Sequence, residues 1–116
     1  MFETALDEDE IITAVTLPTP QKSAYSKFPN PASRYAMVGV FVAQFANGVR
    51  VAVTGAGEDG VFRASDIETA LTAKFDAASL NGLTMSEEGL MGDIHASPAY
   101  RAHLIVEMAR RAVAAC

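Results

Sequence analysis

The chain has a single cysteine, Cys116, and it is the last residue. No internal disulfide can form, which fits a reducing compartment and points to a cytoplasmic protein. No apolar run approaches the roughly 20 residues of a membrane helix, so no membrane span is expected. No basic stripe exists to neutralise phosphates, which argues against nucleic acid as a partner. The opening is acidic, unlike a signal or transit peptide. Charge is sparse: 20% of the 116 residues are charged and 50% are apolar, a balance that excludes disorder. Residues 1–116 read as one domain, which at this size hides roughly 60–70% of its unfolded surface.

The net charge of −5 is local. Glu3, Asp7, Glu8, Asp9 and Glu10 are five of the fourteen acids, and the remaining nine balance nine bases. A solvated acidic turn is the expected form of this cluster.

Alternation and turn chemistry outline the first half. Glu10 to Leu17 is rich in Ile, Thr and Val and is predicted to be a strand closed by Pro18 and Pro20. Ser23 to Phe28 is a second strand, with Tyr25 and Lys27 on one face and Ala24, Ser26 and Phe28 on the other. Tyr35 to Phe45 is a third, apolar enough for burial on both faces. Asn47-Gly48 is a hairpin signal, and Val49 to Thr54 is the returning strand.

Helical signals fill the second half. Ser65-Asp66-Ile67-Glu68 has the form of a capping box, starting a helix near 66–74. Asp76 to Leu80 is a short helix stopped by Asn81-Gly82, and Met85 to Asp93 is a loop. Ser97-Pro98 opens the longest helix, near 98–114, with Tyr100, Leu104, Met108 and Ala112 on one stripe widened by Ile105, Ala109 and Val113. The fold class is therefore α+β: an antiparallel sheet of three to four strands in the first half, packed against a helical second half.

Most chemical motifs dissolve on inspection. Gly55-Ala56-Gly57-Glu58-Asp59-Gly60 matches G-x-G-x-x-G, but the helix signal starts only at Ser65. A pyrophosphate needs helix N-terminal amides inside the motif, and Glu58 and Asp59 would repel it. A glycine-rich turn is expected instead. Asp93, His95 and Ser97 are spaced two apart, but Ser97 is taken by the helix cap, which leaves no catalytic or metal set. His95 reads as a loop histidine, His103 as a partly buried helix residue, and Cys116 has no neighbouring base.

Lys27 is different. It ends a polar strand just before Pro29-Asn30-Pro31. The prolines fix their own φ and push Phe28 and Asn30 toward extended conformations, so the lysine is held in a defined place. A snorkelling edge lysine is the plain alternative.

The stretch from Ser23 to Ala43, SAYSKFPNPASRYAMVGVFVA, carries a family resemblance, as do the opening FETALDEDEIITAVTLP and the ending DIHASPAYRAHLIVEMARRAVAAC. The chain resembles the C-terminal domain of the FAD-carrying medium subunit of the carbon monoxide dehydrogenase and xanthine dehydrogenase family, the molybdenum hydroxylases. After Arg34 the sequence reads Tyr35-Ala36-Met37-Val38, without the acid many members have, and the lysine-to-arginine spacing is longer than in the xanthine dehydrogenase branch. Lys27 is the one matched functional position.

The resemblance implies an oxidoreductase part in which Lys27 lies near the flavin ring. It implies FAD as cofactor of the full-length subunit, with the phosphate-binding loops in an upstream region this chain lacks. The implied partners are that FAD-binding region and the iron–sulfur and molybdenum subunits. On this reading the fragment alone is inactive. A free-standing protein-interaction module is the alternative, and a small hydrolase using His95 and Asp93 is a third reading.

Overall fold

The computed structural model describes residues 4–116. Glu3 of the acidic cluster lies outside that range; Asp7 to Glu10 close an exposed turn, with the Glu10 amide donating to the Asp7 carbonyl at 3.1 Å and the Asp7 amide to Glu10 Oε2 at 3.0 Å.

Four strands form one antiparallel meander: β1 Lys22–Pro29, β2 Ala36–Phe45, β3 Gly48–Gly57 and β4 Gly60–Arg63. Helix α1 spans Ser65–Ala73, a 3₁₀ turn spans Ala77–Leu80, and α2 spans Pro98–Ala114. The class is α+β, strands first and helices after.

Both helices pack on one face of the sheet. Register brings Ala24, Ser26 and Phe28 of β1 beside Val42, Val40 and Val38 of β2, and these beside Val51 and Val53 of β3. The branched side chains suit a pleated surface. Val38, Val40, Val42, Val51 and Val53 are fully buried beneath Ile67 and Leu71 of α1 and Ile105, Met108, Ala109 and Ala112 of α2. Each such aliphatic side chain contributes about 1.5–3 kcal/mol of burial. The stripe predicted for α2 is the buried one, except that Tyr100 remains 43% exposed. Ser97 caps α2, its Oγ accepting from the Tyr100 amide at 3.2 Å, and Pro98 sits in the first turn.

Several expectations are corrected. Residues 10–17 form no strand; they are exposed and outside the sheet, and the fourth strand is instead Gly60–Arg63. The first hairpin turns on Ala46-Asn47, with Gly48 already paired to Phe45 and holding φ +138°. The capping box is not made. Helix α1 starts one residue early, with Ala64 at the cap and no side-chain cap bond. Glu68 faces the sheet instead: the Val51 amide donates to its Oε1 at 2.8 Å, and the Thr72 hydroxyl accepts from the Val49 amide at 3.0 Å. Strand β4 is too short to reach these two amides, so α1 side chains satisfy the exposed edge of β3.

The G-x-G-x-x-G run is a hairpin turn between β3 and β4, Gly57 pairing with Gly60. Gly55 is the demanding position. Its φ is +75°, and an added methyl would collide with the Ala36 carbonyl oxygen of the neighbouring strand. Gly55→Ala is expected to cost about 2–4 kcal/mol. Gly60→Ala, at φ +104° with open space around it, should cost only about 1–2 kcal/mol. Urea melts of both variants test this; equal losses would contradict the collision at Gly55.

Candidate functional site

Strand parity divides β1. Ala24, Ser26 and Phe28 are half-buried toward the helices, with Ser26 Oγ 3.6 Å from Met108 Sδ. Tyr25 and Lys27 therefore point to the other face, which among the described residues no helix covers. Lys27 pairs with Gly39 and Gly39 with Thr54; Tyr25 pairs with Phe41 and Phe41 with Ala52. Gly39 makes room for the tyrosine: a methyl there would overlap the Tyr25 hydroxyl and come within 2.6 Å of Thr54 Oγ1. Tyr25 and Phe41 stay 49% and 42% exposed on this open face.

Lys27 is exposed, and its Nζ donates to the Arg34 carbonyl at 3.0 Å. The loop that presents this carbonyl is tightly closed. The Asn30 amide donates to the Tyr35 carbonyl at 2.7 Å and the Arg34 amide to the Asn30 carbonyl at 2.8 Å. Asn30 Oδ1 accepts from the Ala32 and Ser33 amides at 2.9 and 3.3 Å. Arg34 holds φ +62°, a left-handed conformation that costs a non-glycine residue about 1–3 kcal/mol. The brace expected from Pro29-Asn30-Pro31 is thus built mainly by Asn30, with Arg34 carrying the strain.

The electrostatics of the face are one-sided. Strand parity places Lys27, Arg50 and Arg63 on it, and the four strands hold no acid; Lys22 shares the helix-side parity of Ala24 and lies over the Phe75 ring, 5.7 Å from its centroid. Arg63 is paired with Glu68 at 2.6 Å, whereas among the described residues no carboxylate pairs with Lys27, Arg34 or Arg50. Arg50 rests over the Phe45 ring, 5.3 Å from its centroid.

The end of α2 that borders Lys27 is anchored by Arg101, which is 2% exposed. Its Nη1 donates to the Met37 carbonyl at 2.7 Å and the Gly55 carbonyl at 3.0 Å, and its Nη2 to Asp93 Oδ2 at 2.8 Å. Its Nε is buried without a partner. The adjacent Tyr100 ring meets Phe28 edge-on, centroids 6.2 Å apart. Sequence reasoning does not single out Arg101; the signal for it is a single arginine at the start of a helix stripe that is otherwise apolar.

The other singled-out residues do not converge. Asp93 Oδ1 accepts the His95 and Ala96 amides, both at 2.9 Å, and its other oxygen is held by Arg101. Ser97 is the helix cap. The Asp93, His95 and Ser97 set is therefore structural, and His95 is exposed. His103 is exposed too, not partly buried. It borders a groove of about 420 Å³ between α2 and residues 80–87, on the helix side and away from Lys27. Burial pushes the Cys116 thiol up, which disfavours the thiolate. Among the described residues no helix is long and apolar enough to cross a membrane.

A full FAD site does not fit here. The glycine-rich turn presents no helix N-terminus, and Lys27 offers one charge without a cradle of amides. The open face carries Lys27 beside the exposed Tyr25 and Phe41 rings. No family model, curated protein or solved structure matches this chain.

Three carboxylates tie stability to pH: Glu68, Asp93 and Asp76, the last held below its ordinary value by the Ala78 amide. The His95 and Ala96 amides, then Arg101, hold Asp93 below its ordinary value. Burial pulls Glu68 up, but Arg63 and the Val51 amide outweigh it and leave it lowered. Depressed values favour the ionised, folded form. The stability they add is complete above the unfolded value of about 4 and is lost as pH falls through the lower folded values. Melting temperature should therefore drop below about pH 4; a fall centred near pH 6–7 would contradict this assignment. Arg101→Met should cost about 3 kcal/mol in chemical melts, because two buried carbonyls lose their donor. Asp93→Asn should cost less, since that side chain is 44% exposed.

Proposed function

We propose that this chain is the C-terminal domain of the flavoprotein (medium) subunit of a molybdenum hydroxylase-type oxidoreductase, of the carbon monoxide dehydrogenase and xanthine dehydrogenase kind. In this reading the open sheet face covers one side of the flavin and helps dock the subunits that feed it electrons through iron–sulfur clusters. FAD belongs to the full-length subunit and is held by its FAD-binding region. The setting is cytoplasmic. The fragment alone carries no activity.

The observation that carries the reading is the placement of Lys27. Its ammonium is held on an uncovered sheet face by a strained loop carbonyl, and among the described residues no carboxylate pairs with it. A structural lysine does not need a non-glycine residue held at positive φ to receive it. A cation so placed favours the electron-rich form of a flavin. At ~4 Å and an effective dielectric of ~20 the raw attraction is ~4 kcal/mol, cut to about 1–2 kcal/mol by solvent.

A second reading has its own support. Tyr25 and Phe41 stand half-exposed side by side on the open face. A free-standing interaction module would use that aromatic surface to bind a protein, with no flavin involved.

Two measurements test the flavoprotein reading, and the second separates it from the interaction module. The purified 116-residue chain should retain no FAD, since no amide cradle holds a pyrophosphate. Copurified flavin at near-equal molar ratio would place the whole site here. In the full-length subunit, Lys27→Met should lower the flavin midpoint potential by about 20–40 mV, while Lys27→Arg retains most of it. An unchanged potential in a folded, flavin-loaded Lys27→Met protein would overturn the assignment.

A further inference from the structure

Three polar side chains of the open face gather around one glycine. Lys27, Gly39 and Thr54 form a row across β1, β2 and β3. The Tyr25 ring reaches into this row from the one beside it. Its hydroxyl fills the place a methyl on Gly39 would take, with Tyr25 Cζ 2.8 Å and Thr54 Oγ1 2.6 Å from that place. A glycine inside a strand weakens it and marks the close approach of another group. An aromatic ring laid over such a glycine is a structural device in its own right. A phenylalanine would serve that device equally, so it does not account for the hydroxyl.

Hydrogen-bond accounting gives this recess a polarity. Thr54 Oγ1 donates its one hydrogen to the Gly39 carbonyl at 3.4 Å, which leaves its lone pairs to accept. Among the described residues no protein group hydrogen-bonds the Tyr25 hydroxyl, which keeps its hydrogen to donate. Lys27 Nζ gives one N–H to the Arg34 carbonyl and has two more. Donors beside an acceptor match a ligand edge in which a C=O stands next to an N–H. The carbonyl takes Tyr25 and Lys27, and the N–H gives to Thr54. A phosphate or carboxylate offers acceptors only, and would have to draw the Thr54 hydrogen off the Gly39 carbonyl. Phe41, half-exposed and directly opposite Tyr25, offers a flat apolar surface for the body of a ring.

We propose that Tyr25, Thr54 and Lys27 form a recess for the lactam or imide edge of a planar heterocycle. Under the proposed function that edge is the pyrimidine end of the flavin, and Tyr25 and Thr54 fix which end of the ring meets Lys27. The flavin as occupant rests on that function; the recess does not.

Uridine is a soluble probe with the same imide edge, and 3-methyluridine is the same ring with the N–H blocked. Added to the 116-residue chain, uridine should shift the backbone amide signals of Tyr25, Gly39 and Thr54 in two-dimensional NMR, with millimolar affinity. 3-Methyluridine should bind about fivefold more weakly, one hydrogen bond being lost. Tyr25→Phe keeps the ring over Gly39 and Thr54→Val keeps the shape; each should weaken uridine by a similar factor, with urea melts on the same samples as the folding control. Equal binding of uridine and 3-methyluridine to the wild-type chain would overturn the proposal, as would shifts confined to Phe41 or no shifts at all. A titration with FMN, with inorganic phosphate as its control, separates this from the functional reading. FMN that binds through these residues more tightly than uridine supports both. FMN that binds no better than uridine leaves the recess and counts against the flavin.

Discussion

The buried guanidinium of Arg101 is the interaction on which the arrangement depends. Burying an arginine is costly, and the cost is offset only where its donors are met. Here Met37, Gly55 and Asp93 meet three of them, one each from β2, β3 and the loop before α2. One side chain thus locks the start of the long helix to the two central strands. Gly55 must be glycine in the same corner, since a side chain there would strike β2. With α2 fixed, Tyr100 lies against Phe28, the residue after Lys27. The position of the candidate functional cation is in this sense set from the opposite face of the sheet.

The sheet has two unlike sides. One is closed by valines against two helices, and its ragged edge at β3 is finished by Thr72 and Glu68. The other is open, bears Tyr25 and Phe41, and carries cations with no acid in any strand.

Much of this was legible in the sequence, for identifiable reasons. The α2 stripe and its Ser97-Pro98 start depend on local signals, and they hold apart from the half-exposed Tyr100. Alternation in β1 sorted Tyr25 and Lys27 from Ala24, Ser26 and Phe28 correctly, because one face is buried and the register is therefore fixed. The glycine-rich run was read as a turn on the charge of Glu58 and Asp59, and it is one. What failed depended on distant partners. The Ser65 capping box gave way because Glu68 is drawn to Val51 and Arg63. The strand expected at residues 10–17 has the right letters but no neighbour within this domain. Arg101 escaped notice because nothing local says that its three partners converge from elsewhere in the chain. The strained carbonyl of Arg34 was equally hidden, since positive φ at arginine leaves no mark in composition.

The account joins a fixed, unpaired lysine to an open sheet face and gives both one purpose. The most direct measurement is a crystal structure of the flavin-loaded full-length subunit. The account predicts that the open face, with Tyr25 and Lys27, faces the FAD-binding region, and that Lys27 Nζ lies within about 4–6 Å of the flavin ring, close enough to stabilise charge on it. A flavin seated beyond that reach, or a FAD-binding region packed on the helix side of the sheet, would contradict it.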